Sequence, residues 1–205
     1  MNLQDPFIKY KNFVLSNNKL PKSINEISSD ISGYVTVPQL ESDLWKTYAE
    51  TTLETCTQDP AFGEYTAREK MLAYFYTFLQ IVKEDKEILE LQLKNWRSII
   101  RGKKYEEFKA EYTLFVKILI EEGQERGEIQ KRPFISNVYP NLFWLAILSV
   151  LSFWLNDKSE DTEQTDVAVE KIVHLLFDTL APNAVDSALD LVQFLIKQNF
   201  NGQPK

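Results

Sequence analysis

Residues 141–156, NLFWLAILSVLSFWLN, form the most apolar stretch of the chain. Two pairs of large aromatic side chains, Phe143 with Trp144 and Phe153 with Trp154, stand there among leucine, isoleucine and valine. A helix that is apolar on nearly all of its sides must be buried on nearly all of them. One face can pack against its own domain, so the sequence predicts that the opposite face is covered as well.

Three environments could cover this stretch: a membrane, a partner subunit or the core of a monomer. A bilayer needs about 20 apolar residues, whereas this run has 16 and is followed at once by Asp157 and Lys158. Ser149 and Ser152 are small enough to let a partner helix approach closely, and the aromatic side chains supply contact area. We therefore expect a subunit interface, with a monomer core as the alternative.

The composition is that of a globular protein with one large or two small domains. The chain has 205 residues with 6 glycines and 8 prolines, a scarcity that favours long helices. Its net charge of −7 argues against a protein that coats nucleic acid or anionic membranes. Because Cys56 is the single cysteine and the N-terminus lacks an apolar leader, we expect a cytoplasmic protein without a transmembrane segment.

Helix start and stop signals recur along the chain, and no stretch commits to a strand. Asp5 precedes a proline at a helix start, and Asn18 is suited to the left-handed end of that helix. Ser23 is predicted to cap a short second helix that reaches Ile31. Thr66 and Thr165 are predicted to cap two later helices. The predicted fold class is all-α.

Catalytic and metal-binding residues are poorly represented. His174, the single histidine, lies within an apolar helical stretch and is more typical of a core or interface residue than of a general base. Cys56 has no basic neighbour in the sequence that would activate its thiol. No spacing of Asp, Glu and His indicates a metal site, and no glycine-rich phosphate loop is present. We expect neither an enzyme nor a cofactor.

The order of elements resembles the TetR family of regulators in three places. LPKSINEISSDI, residues 20–31, is similar to the opening helix-turn-helix, and ILIEEGQERGEI, residues 118–129, is similar to a glycine-punctuated helix end. Residues 143–157 and 165–180 resemble the two closing helices through which family members dimerise. The resemblance implies a small three-helix N-terminal subdomain, residues 1–48, and a larger ligand-binding and dimerisation domain, residues 49–205.

The resemblance also implies two functional surfaces. A hydrophobic small molecule or lipid would be bound in the middle of the larger domain, and the aromatic-rich helices there offer Tyr74, Phe75, Phe78, Trp96, Phe115, Leu119 and Trp144. A filled core is the alternative for these residues. A homodimer would form through Leu145, Ser149, Ser152, Phe153, Trp154, Val169, Ile172, Val173 and Leu176.

DNA binding is where the chain departs from the family pattern. Between Ser23 and Leu40 it has about eight fewer positions than the family pattern would give, and the missing part corresponds to the recognition helix. Residues 1–48 contain no arginine, although arginine is the commonest specific reader of guanine. Weak phosphate contacts are expected at most, from Lys19, Lys22 and Lys46.

These expectations favour a dimeric TetR-like regulator that binds a hydrophobic small molecule without ordinary sequence-specific DNA binding. One alternative is a lipid- or isoprenoid-binding accessory protein on the same scaffold, similar to the lipid-presenting proteins of ubiquinone biosynthesis. The other alternative is a functional DNA-binding repressor. The geometry of residues 28–40 should discriminate among them.

Overall fold

A computed structural model describes residues 5–94, 103–132 and 138–182. These residues form α-helices and short 3-10 turns without a strand, which confirms the all-α prediction. The helices are α1 (Pro6–Asn17), α2 (Ile24–Ile27), α3 (Val37–Thr57), α4 (Ala67–Val82), α5 (Lys86–Leu93), α6 (Glu106–Glu125), α7 (Tyr139–Asn156) and α8 (Glu163–Leu180). Trp96, one of the residues predicted to bind a ligand, lies outside the described residues.

Helix α3 lies at the centre of the fold, where it packs against both α4 and α6. Its apolar stripe supplies Leu40, Leu44, Trp45 and Tyr48 to the core. On the far side, α4 packs against α8, while α7 packs against α6 and α8. The α7–α8 pair therefore forms an outer layer that shields the aromatic residues of α4 and α6. Because α3 is continuous through residue 48, the predicted domain division falls inside one helix.

The first helix begins and ends as its sequence indicates. The Asp5 carboxylate accepts a hydrogen bond from the Phe7 backbone N–H at 2.9 Å, and Asn18 adopts the left-handed conformation that ends the helix. The prediction for α2 was wrong in two respects. The Ser23 side chain makes no capping hydrogen bond, and α2 stops at Ile27, four residues before the predicted end.

Thr66 caps α4 as predicted, because its hydroxyl accepts from the Glu69 backbone and Glu69 reaches back to the Thr66 backbone. The predicted cap of α8 was wrong. That helix begins two residues before Thr165, whose hydroxyl donates to the Asp157 carboxylate at 2.6 Å instead. Asp157 also accepts the Thr165 backbone N–H at 2.8 Å, so it performs from eight residues away the role that a local cap usually has.

Helix α6 ends at Glu125, within the glycine-punctuated stretch that was predicted to end it. Gly127 has a φ of +75°, a backbone conformation that glycine adopts without strain. Gly123 lies inside the helix for a different reason. A Cβ placed there would lie 2.8 Å from the Ile129 side chain and 3.1 Å from Ala67. The small residue therefore lets α4 and the chain beyond α6 approach closely.

Helix α7 contains the stretch that decides the fold. Among the described residues it is the one helix long and apolar enough to cross a membrane by length and composition alone. Half of it is buried against the rest of the protein, as in a core helix. Leu145 and Phe153 remain exposed on its outer side. The described residues of the chain therefore leave part of the outer side of α7 uncovered.

Candidate functional site

The aromatic residues predicted to bind a ligand come together in one layer, which we call the aromatic layer. Helix α4 supplies Tyr74 and Phe78, α6 supplies Phe115, and α7 supplies Trp144. Phe75 and Leu119 are buried in the same hydrophobic core. The Tyr74 and Phe115 rings stack with their centroids 4.7 Å apart. The amphipathic faces of α4 and α6 turn these side chains toward each other because both helices also pack on α3.

Two further rings complete the layer, and neither was among the residues predicted to bind a ligand. Phe108 lies 5.5 Å from Phe78 and 5.8 Å from Trp144, centroid to centroid, and Tyr112 lies 5.4 Å from Tyr74. They precede Phe115 on the same face of α6, and that helical spacing was the available signal. Because the rings contact one another, the layer is filled by its own side chains in this structure.

The hydroxyl groups of this layer have unequal environments. Tyr112 donates to the Phe143 carbonyl at 3.0 Å, which links α6 to α7. The Tyr74 hydroxyl is buried and has no hydrogen-bond partner among the described residues. Burial is the main cause that raises the pKa of Tyr74, followed by the nearby Cys56 and Glu111. This hydroxyl therefore stays protonated and presents an unused donor.

The outer side of the α7–α8 pair is an apolar surface, which we call the outer face. Leu145 is 60% exposed, Phe153 41% and Leu175 70%. A groove of about 250 Å³ runs between the two helices, with Leu145, Ile172 and Leu175 among its lining residues. Large exposed apolar side chains that cluster in this way are typical of protein interaction surfaces.

The residues predicted for the dimer interface divide between this face and the core. Leu145, Ser149 and Phe153 are exposed, Ser152 and Ile172 are half-buried, and Leu176 is buried at the base of the groove. Trp154, Val169 and Val173 point into their own subunit and are at most 3% exposed. Leu142, Val167 and Leu175 also border this side, although the sequence analysis did not select them.

The segment that would carry a recognition helix has none. Residues 28–36 form turns and bends, and α3 begins at Val37 with Thr36 as its cap. Lys19 and Lys22 are exposed, as a phosphate contact requires. Lys46 instead lies 3.5 Å from Glu50 and 3.7 Å from Glu111, so two carboxylates compete with any phosphate for it.

A buried polar network, which we call the α1 network, ties the N-terminal helix to the body. Tyr10 donates to Glu41 at 2.6 Å and accepts from the Gln92 amide at 2.8 Å. Gln92 in turn accepts from the Trp45 indole at 2.8 Å, and Lys104 lies 3.4 Å from Glu41. The network therefore joins α1, α3 and α5 through groups that the core removes from water. No local sequence pattern could reveal this network, because its hydrogen-bonded pairs lie up to 82 residues apart.

The remaining reactive side chains do not form a catalytic arrangement within the described residues. His174 is exposed, and its Nδ1 lies 2.8 Å from Arg68 Nη1, while Nη2 of the same guanidinium pairs with Asp178. Burial raises the pKa of the Cys56 thiol, which disfavours the reactive thiolate. No three His, Cys, Asp or Glu side chains converge as metal ligands in residues 5–94, 103–132 and 138–182.

Together these features define an all-helical protein with an aromatic layer in its middle and an apolar outer face on its closing helix pair. A family model described as tetracyclin repressor-like, C-terminal domain, matches residues 70–195, more than half of the chain. The chain therefore belongs to the TetR family of regulators, as its resemblance indicated. No curated protein and no solved structure matches it.

Proposed function

We propose that this TetR-family protein is a homodimer that binds a hydrophobic small molecule and does not read DNA through a recognition helix. The observation that carries the proposal is the contrast between its two parts. Helices α4, α6, α7 and α8 carry the aromatic layer and the outer face, whereas residues 28–36 contain no helix that could enter a DNA groove. A recognition helix needs about two to three turns to reach several base pairs.

The aromatic layer supports the ligand-binding part of the proposal. Apolar sites between the helices of a bundle, with few polar groups, are common ligand sites. Because the layer is closed on itself, a ligand has to move the rings apart, beginning with contacts such as that of Tyr74 with Phe115. A lipid-binding accessory role would use the same layer, and the missing recognition helix favours it equally. The two roles differ in what the dimer acts on: transcription in the first case, and an enzyme that uses the lipid in the second.

A titration against a pool of genomic DNA fragments at about 150 mM salt tests the DNA part. We expect only sequence-independent binding with a Kd of about 10⁻⁴–10⁻⁶ M, because lysines such as Lys19 and Lys22 can contact phosphates without reading bases. Replacing both with glutamine should lower the slope of log K against log salt by about one for each phosphate that a lysine no longer neutralises.

The control is Lys158→Gln, which removes one lysine charge at an exposed position after α7. Its salt slope should equal that of the unaltered protein. Recovery of one enriched palindromic site bound at nanomolar strength would overturn the proposal and identify an ordinary repressor.

A further inference from the structure

The buried tyrosines of this protein differ in whether their hydroxyl has a hydrogen-bond partner. Tyr10, Tyr105, Tyr112 and Tyr139 are fully buried, and each donates its hydroxyl proton to a protein oxygen. The acceptors are Glu41 at 2.6 Å and the carbonyls of Gln92 at 3.2 Å, Phe143 at 3.0 Å and Gln130 at 2.9 Å. Tyr74 is buried to the same degree, yet its hydroxyl has no partner among the described residues. Buried polar groups are ordinarily hydrogen-bonded, so this hydroxyl points to a partner that the described residues do not supply.

We propose that Tyr74 is the polar anchor of the aromatic layer, and that its partner is a neutral, flat, apolar ligand with a carbonyl oxygen. This inference rests on the ligand-binding function proposed above and names the chemical class of the ligand. The hydroxyl donates its proton to the carbonyl oxygen, and the apolar part of the ligand lies against the neighbouring rings.

The flat shape follows from the rings around Tyr74. Its ring is nearly parallel to those of Phe115 and Phe78, with interplanar angles of 14° and 7°. Parallel rings leave slab-shaped space when they separate, and a planar conjugated molecule fills such space with offset stacking on both sides. A branched or globular apolar molecule would have to displace more of the layer.

The neutral carbonyl follows from the charges near the hydroxyl. Glu111 on α6 lies close enough to act on the Tyr74 hydroxyl electrostatically, whereas the buried Cys56 thiol is neutral. A carboxylate ligand would be repelled by Glu111 and would lose its hydration in the core. A neutral carbonyl oxygen accepts the hydrogen bond without either cost, which separates ketones and quinones from fatty acids.

Three related naphthalene probes test the proposal: 2-acetylnaphthalene, 2-ethylnaphthalene and 2-naphthoate. Binding of each to the full chain is measured by titration of intrinsic fluorescence and by thermal shift. We expect the ketone to bind about tenfold more tightly than the ethyl analogue, because only the ketone accepts from Tyr74. The carboxylate should bind more weakly than the ketone. In Tyr74→Phe the tenfold preference should disappear while 2-ethylnaphthalene still binds.

Tyr105→Phe is the control, because it removes a buried hydroxyl that lies outside the aromatic layer and already has a partner in the Gln92 carbonyl. It should keep the preference for the ketone. The ligand-free variants give a second measurement. Tyr74→Phe should unfold at or above the temperature of the unaltered protein, whereas Tyr105→Phe should unfold about 2–4 °C lower.

The outcomes separate this inference from the proposed function. Equal binding of ketone and ethyl analogue to the unaltered protein would overturn the anchor and leave the apolar site standing. A preference that survives in Tyr74→Phe would also overturn it, as would a loss of stability in Tyr74→Phe equal to that in Tyr105→Phe, which would indicate a bound water. Failure of all three probes to bind would overturn both the inference and the ligand-binding function.

Discussion

At the scale of single residues, Asp157 is the clearest case of one side chain that organises several elements. Each of its carboxylate oxygens accepts two hydrogen bonds, one set from Ser159 and the other from Thr165. Ser159 in turn accepts the Gln164 backbone N–H at 3.1 Å. The start of α8 is therefore held by residues in the preceding loop, and the orientation of the α7–α8 pair depends on them.

These hydrogen bonds lower the pKa of Asp157, chiefly those from Ser159 and then those from Thr165. A carboxyl whose pKa is lower in the folded than in the unfolded state stabilises the fold above its unfolded pKa, ordinarily about 3.9. That contribution is lost as the pH falls below this value toward the folded pKa. We therefore predict that the free energy of unfolding of Asp157→Asn falls less steeply as the pH drops below about 4, because the variant has no carboxyl to protonate there.

Asp157→Asn should also be less stable at pH 7, because an amide cannot accept from backbone N–H groups on both of its heavy atoms. Urea unfolding of both proteins between pH 2 and pH 7 measures the two effects. Glu160→Gln is the control, since it neutralises an exposed carboxylate in the same loop. Equal stability of Asp157→Asn and the unaltered protein at pH 7 would show that the loop does not depend on this carboxylate.

At the scale of elements, the α1 network decides how the N-terminal helix is attached. We predict that Tyr10→Phe lowers the free energy of unfolding by about 1–3 kcal/mol, because it leaves buried Glu41 and Gln92 short of a partner. Chemical denaturation gives the change in stability. Hydrogen exchange should show the loss of protection concentrated in α1, the helix that this hydroxyl joins to α3 and α5.

Tyr65→Phe is the matched control for this prediction. Its hydroxyl donates to Asp59 at 2.8 Å at an exposed position, where water can replace the missing partner. We expect a change in stability below about 0.5 kcal/mol. If Tyr10→Phe behaved like Tyr65→Phe, the α1 network would not hold the N-terminal helix to the body.

The ends of a helix could be predicted where the residues that fix them are close in the sequence. The ends of α1 and the cap of α4 depend on residues at most three positions away, and the sequence was sufficient there. The start of α8 depends on Asp157, which lies outside any capping pattern, so the prediction for Thr165 was wrong. Helix α2 was predicted too long because its isoleucines repeat with helical spacing, yet the chain leaves the helix at Ser28.

The candidate site shows the same limit. The apolar spacing on α4 and α6 was enough to predict that Tyr74, Phe78 and Phe115 would meet. Whether they enclose a cavity or fill it depends on ring positions that no spacing rule gives. In α7 the apolarity extends around the helix, so the sequence could not tell that Trp154 faces inward while Leu145 faces outward.

At the scale of the whole molecule, the outer face is the apolar surface that the described residues of one chain leave exposed to water. The exposed leucines of α7 and α8 lie on both sides of the groove, and a second copy that presents the same groove would cover both rows. A twofold axis places identical patches against each other, so each leucine is used twice. The dimer proposed above would thus remove Leu145 and Leu175 from water in both subunits.

We predict that the unaltered protein has twice the 23.9 kDa mass of one chain in solution and that Leu145→Glu and Leu175→Glu are folded monomers. A carboxylate at the centre of such an interface loses its hydration without a partner, and a loss of about 2 kcal/mol raises the Kd about 30-fold. Light scattering measures the mass, and circular dichroism verifies the fold.

Both leucines are exposed within one chain, so their substitution should not unfold the subunit. Trp154→Glu would be a poor test by contrast, because Trp154 is buried in its own subunit and its loss would disturb the core. Val35→Glu is the control: it places the same charge on an apolar residue that is 86% exposed in the N-terminal segment, and it should remain dimeric. A monomeric unaltered protein would leave the outer face without a second copy to cover it and would overturn the dimer. Dissociation caused by Val35→Glu alone would instead place the interface on the N-terminal segment.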